Sequence, residues 1–158
     1  MLPWKKETAR LHLSAYALGV AYHIGGFLAF LWVLLLFAGA GLPPAVTTAS
    51  VGILIVAALC GVALLVRRIA DAKLRHFSTP DDYFSNALVT GFQVLTALAL
   101  LYESLIPALF LYSGLLMMYI PLGKLRHAIF FVFARFYLGI FYGRRGVWPP
   151  ESKGSRQP

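Results

Sequence analysis

LSAYALGVAYHIGGFLAFLWVLLLFAGA, residues 13–40, contains no Lys, Arg, Asp or Glu, and its one ionisable side chain of ordinary pH range is the imidazole of His23. About 20 apolar residues in a helix cross the roughly 30 Å hydrocarbon core of a bilayer, so this run reads as a membrane span. It closes in Gly39-Ala40-Gly41-Leu42-Pro43-Pro44, a breaker cluster that forces a turn. Upstream, Trp4, Lys5, Lys6, Glu7 and Arg10 precede an apolar stretch longer than the core of a signal peptide, with no small-residue cleavage site close behind it. The first span is expected to be retained.

The rest of the 158-residue chain follows the same pattern. A second apolar segment runs from about 46 to 69 and stops at Arg67-Arg68. A third, about 82–101, follows Ser78-Thr79-Pro80-Asp81-Asp82, where Thr79 can cap, Pro80 suits the first helical position and the two aspartates favour the positive helix end. After a link carrying Glu103, Pro107 opens a fourth segment reaching about 133. A straight helix from Ile106 to Tyr142 would be about 55 Å long, too long for the bilayer core. Pro121 is therefore expected to kink it, leaving the aromatic segment through Phe136, Tyr137, Phe141 and Tyr142 along the interface. Hydrophobic residues make up 59% of the chain and charged ones 13%, which excludes an ordinary soluble domain. The expected fold is all-α: an integral membrane four-helix bundle over residues 1–145, with a basic, mobile tail at 146–158. Cys60, the lone cysteine, stands in an apolar run and reads as a small packing residue. With one cysteine, a disulfide framework, a thiolate metal cage and covalent CxxCH haem attachment are all excluded.

Charge placement gives the orientation. Lys5, Lys6 and Arg10 precede span one. Arg67, Arg68, Lys73 and Arg75 follow span two, and Lys124, Arg126, Arg135, Arg144, Arg145, Lys153 and Arg156 follow span four. Together they are all 14 basic residues of the chain, and the two opposite loops have none. Cytoplasmic loops retain Lys and Arg, so both termini and the loop between spans two and three are expected on the cytoplasmic side of a multi-pass protein of the inner membrane. The formal charge of +8 is then a topology signal, reinforced by anionic lipid of the bilayer, and calls for no nucleic acid.

Of the four histidines, His12 and His76 fall at the cytoplasmic end of span one and in the cytoplasmic loop, where an imidazole is ordinary. His23 lies deep in a span, where an ionisable group is costly and marks either function or a hydrogen-bonded packing role. His127 lies near the end of the fourth apolar segment, and the two suggest a bis-histidine haem. Gly19 and Gly26 stand four residues before and three after His23, and Gly123 four before His127, so a flat macrocycle would meet small neighbours. Tyr16, Phe27 and Phe30 continue the His23 face and can pack on a porphyrin or on neighbouring helices and lipid. Lys124 and Arg126 can meet haem propionates or serve as interfacial anchors. His23 lies roughly 19 Å beyond Arg10, whereas His127 adjoins Arg126, so a His12–His127 pair is a geometric rival.

At Tyr22-His23-Ile24-Gly25-Gly26, at the Arg67-Arg68 exit and at Gly123-Lys124-Leu125-Arg126-His127, the chain resembles a family. This is the membrane cytochrome b of the respiratory nitrate reductase gamma type, including related membrane subunits of sulfate-reducer redox complexes and heterodisulfide reductases. The resemblance covers about residues 15–145, in the family's order, and the chain looks like a shortened member without the usual first span. It implies one cytoplasm-proximal haem b with His23 and His127 as axial ligands to the iron. The second haem of the family would need histidines where this chain has Val33 and Leu109.

The expected function is electron transfer, since an iron with two histidine ligands has no open position for a substrate. The resemblance implies a cytoplasmic iron–sulfur subunit and other membrane subunits as partners. A quinone pool, menaquinone or ubiquinone, is the expected lipid-side partner, with no residues marking its site. A haem-free membrane anchor or assembly scaffold is the second reading, and a small transporter the third, poorly supported because no span carries an acid.

Overall fold

The computed structural model describes residues 13–123 and 125–145, and among them every regular element is helical. His12, Lys124 and the tail 146–158 lie outside the described residues. In chain order the helices are α1 (Leu13–Phe37), α2 (Pro44–Ala70), the short α3 (Ala72–Phe77), α4 (Pro80–Leu101), α5 (Ile106–Tyr119) and α6 (Arg126–Arg145), with a 3-10 turn at Glu103–Leu105 before α5.

Local chemistry sets each boundary. Gly39, at φ +67°, ends α1 in a Schellman turn: its N–H donates to Leu36 O and that of Ala40 to Leu35 O, satisfying the last carbonyls. Pro43, in extended backbone, leads into Pro44 at the first position of α2, where a missing N–H costs nothing. Asp71 closes α2 and caps α3, its carboxylate accepting from the N–H groups of Lys73 and Leu74. At the start of α4 the Asp82 carboxylate accepts from the backbone N–H and hydroxyl of Thr79, so the expected cap is present.

Helices α1, α2 and α4 pack against one another as a triangle, and α5 returns along α4 with a lighter contact to α1. What they bury is small or polar: Gly25, Ala29, Ala57, Ala58, Gly61, Ala97 and Ala99, together with Ser50, Ser85, Gln93, Thr96 and Ser113. Larger side chains such as Trp32, Leu54, Phe92, Leu109 and Leu116 complete the interior, while Phe27, Phe37, Leu59, Leu111 and Met118 point outward. Small residues let helix backbones approach when the surrounding solvent is itself apolar. The buried hydroxyls accordingly turn back on their own helices, Ser50 to Val46 O, Thr96 to Phe92 O and Ser113 to Leu109 O. With α1, α2 and α4 each long and apolar enough to cross a bilayer, this is a multi-pass membrane protein.

The fourth apolar segment departs from the expectation of one kinked span over 107–133. It is divided: α5 ends at Tyr119, a turn runs through Pro121, and α6 starts anew at Arg126. Pro121 has no N–H to continue the ladder, and Tyr119 is pinned where it stands by its hydroxyl, which meets Ser85 and Asp81 at the head of α4. Helix α6 packs against no other helix among the described residues.

Candidate functional site

His23 lies near the middle of α1, in the centre of its outward stripe. Tyr16, Val20, His23, Phe27 and Phe30 are all exposed, spaced three and four apart, while Gly25, Ala29 and Trp32 on the opposite side are buried. The expected alignment of Tyr16, Phe27 and Phe30 with the imidazole is therefore present, on the surface of the bundle rather than in its interior. The ring has a fixed tautomer. Nδ1 stands 2.6 Å from Gly19 O, and a carbonyl oxygen can only accept, so Nδ1 carries a hydrogen and, in the neutral ring, the lone pair belongs to Nε2. A backbone carbonyl holding one ring nitrogen is the usual support for a metal-ligating histidine.

The glycines around it divide. At Gly19 a Cβ would meet nothing within 4 Å, so this side of His23 is open. At Gly26 a Cβ would lie 3.7 Å from Gln93 Nε2 and 3.8 Å from Val89 Cγ1, in contact with α4. Gly26 is thus part of the helix packing. Gly123 is buried, and the space of its missing side chain is filled by the Tyr119 ring, whose Cζ would stand 2.3 Å from an added Cβ. Both glycines admit protein side chains, a use of smallness that spacing alone does not separate from room for a macrocycle.

His127 and Arg126 are exposed in the first turn of α6. Because α6 packs on no other described helix, the described contacts do not bring His127 to His23. Along α1, His23 lies about 15 Å from Leu13, so a shared ligand would require the first turn of α6 to reach the outward face of α1. His76 sits exposed in α3 beside Phe77, as expected of a loop imidazole, and Cys60 is half-buried in α2. Among the described residues no group of three or more His, Cys, Asp or Glu side chains is placed to hold a metal ion.

Val33 and Leu109, where a second haem of the resembling family would need histidines, belong to the packed interior. Leu109 is fully buried in the hydrophobic cluster and Val33 packs against it.

Two polar features escaped the sequence reading. Gln93, fully buried in α4, donates from Nε2 to Tyr22 O at 2.8 Å, one residue from His23, and its Oε1 has no partner. Tyr22 in turn donates to Asn86 O at 3.0 Å, its ring seated where Gly61 has no side chain. At the basic end, Arg68 lies 3.2 Å from Asp82 and the Tyr119 hydroxyl joins Asp81 and Ser85, tying α2, α4 and α5 together. A glutamine in mid-span was the available signal for the first. For the second, tyrosine and aspartate lie 38 positions apart in the chain, with no local pattern to link them.

Compared with known protein families, curated proteins and solved structures, the chain shows no match. Its function is therefore argued from its own residues.

Proposed function

We propose that this chain is a membrane electron-transfer subunit that carries one bis-histidine haem b, with His23 and His127 as axial ligands. The observation that carries the reading is the His23 ring: a mid-span imidazole whose Nδ1–H is held by Gly19 O and whose Nε2, in the neutral ring, offers its lone pair to a metal. Such a group is costly against lipid, and coordination removes that cost. The open side at Gly19 and the aromatic stripe of Tyr16, Phe27 and Phe30 fit a flat apolar macrocycle, and the packed Val33 and Leu109 fit one haem rather than two.

When bound, the haem supplies one-electron transfer. The protein's part is to fix the imidazole, exclude water and set the polarity around the iron. His127 would complete the pair from the basic end, and Arg126 and Lys124 would meet the propionates. In this reading α5 is a fourth crossing and the basic end is cytoplasmic. A cytoplasmic iron–sulfur subunit and other membrane subunits would be its electron partners, with menaquinone or ubiquinone on the lipid side.

The test is the reduced-minus-oxidised spectrum of purified protein with a pyridine haemochrome count. We expect a b-type signal at one haem per chain, abolished by His23→Ala and by His127→Ala and retained in His12→Ala. Well-folded protein with no such signal overturns the reading in favour of a haem-free membrane anchor or assembly scaffold. Retention in His23→Ala with loss in His12→Ala would instead move the ligand pair to His12 and His127.

A further inference from the structure

We propose that α6, from Phe130 to Arg145, lies in the plane of the membrane surface and docks on anionic phospholipid headgroups. Three observations converge. First, α6 is long but packs against no other helix among the described residues, and several of its aromatic side chains are left exposed, Phe130, Phe133, Phe136 and Tyr137 each by about two-thirds. Twenty residues of this composition do not remain in water beside a bilayer.

Second, α6 is poorly suited to crossing. It starts at the basic end of the bundle, after Tyr119 has met Asp81, and carries Arg126 at one terminus and Arg144-Arg145 at the other. A crossing would carry Arg144 and Arg145 to the end marked by Glu103, where no other Lys or Arg of the chain belongs. It would also bring Arg135 close to the bilayer centre, where a cation is expensive. An in-plane helix keeps Arg135 on the water side and lets the arginines at its two ends snorkel to the headgroups.

Third, the charge is of one sign. Residues 126–145 contain four arginines and no acid. At about 100° per residue, Phe133, Tyr137, Ile140 and Phe141 share one side and Arg135 takes the other, while Arg126 and Arg144 fall on the aromatic side near the two helix ends, where their long side chains can snorkel. The Arg135 guanidinium lies 5.2 Å from the Phe131 ring centroid and that of Arg145 4.1 Å from that of Phe141. Stacked on those rings, both guanidinium groups keep in-plane donors for phosphate. Cationic headgroups would be repelled, and zwitterionic ones would give only the aromatic contribution.

The full chain, in a Cys60→Ser background, is reconstituted in nanodiscs of phosphatidylcholine alone or with 30% phosphatidylglycerol as the anionic lipid. Nitroxide labels on Phe133→Cys and Phe141→Cys report depth through their collision rates with oxygen and with a water-soluble nickel chelate. In the anionic discs both labels should sit at the same shallow depth, shielded from nickel. Arg144→Gln with Arg145→Gln should lower the bound fraction relative to the free by about 25-fold, taking about fivefold for each arginine. High salt should act in the same direction.

Depth increasing from one label to the other, as in a crossing helix, overturns the proposal. So does equal shielding in neutral discs, or shielding that appears only with spin–spin broadening at high protein density, which would assign the helix to a second copy. None of these readouts uses haem, so they stand apart from the electron-transfer reading, and among the described residues the other helices pack without α6, so its variants should leave the bundle in place.

Discussion

At the residue scale, Gly25 shows how closely α1 and α2 approach. A Cβ there would lie 2.1 Å from Ala57 Cβ and 3.3 Å from Gln93 Nε2. Gly25→Val must push the two helices apart, and we expect a loss of about 1–3 kcal/mol, read from unfolding of the purified protein in mixed detergent. Gly19→Ala, with open space at the same atom, should leave that stability within experimental error while narrowing the room beside His23. Gln93 gives a different contrast. Its Nε2 bond to Tyr22 O contributes about 1 kcal/mol net, but its orphaned Oε1 costs a comparable amount, so Gln93→Leu should be close to neutral or stabilising. Gln93→Ala removes the same polar atoms and leaves a void, and should cost about 2 kcal/mol or more. The same melts, compared pairwise, decide whether Gln93 acts through its amide or its volume.

At the scale of elements, the boundaries governed by local chemistry were legible before the fold. The Gly39–Pro44 breaker turn and the Thr79 start of α4 each depend on residues within a few positions of one another, although α2 opens at Pro44, two residues before the expected start. The end of α5 was not legible in the same way. Pro121 announced a disruption, but a kink and a termination have the same local signature. The choice was made by Tyr119 reaching Ser85 and Asp81 on another helix. Likewise, Gly26 and Gly123 were visible as small residues near histidines, but only the positions of Gln93 and Tyr119 reveal what fills the space. We expect Tyr119→Phe to loosen the α4–α5 contact by about 1–2 kcal/mol. Hydrogen exchange should then rise selectively in α5, while a uniform rise over α1 and α2 would show that this contact is not local.

At the scale of the molecule, the distribution of cations and the packing describe one object. The same end that carries Arg67 and Arg68 holds the Arg68–Asp82 ion pair, the Asp81–Tyr119 contact and the start of α6, while the opposite end presents Glu103 and the Gly39 turn. Single cysteines in a Cys60→Ser background should therefore label from opposite faces of sealed vesicles, Ser104→Cys from one and Lys73→Cys from the other. Labelling of both from the same face would break the antiparallel arrangement of α2, α4 and α5. The histidine pair was legible as residues but not as a site, because His23 belongs to a packed helix and His127 to one that, among the described residues, packs against none of the others.

The outward position of His23 also bears on how such a chain would mature. In the proposed reading, a ligand that faces away from the core does not need the core to open around it, so the bundle and the haem would be separate cooperative units. Cells starved of haem should still accumulate folded, membrane-inserted protein with a melting curve close to that of the loaded form. Addition of haem to that protein should then restore the spectrum without refolding, which would make cofactor supply a late step in assembly and one that can be withheld without losing the scaffold.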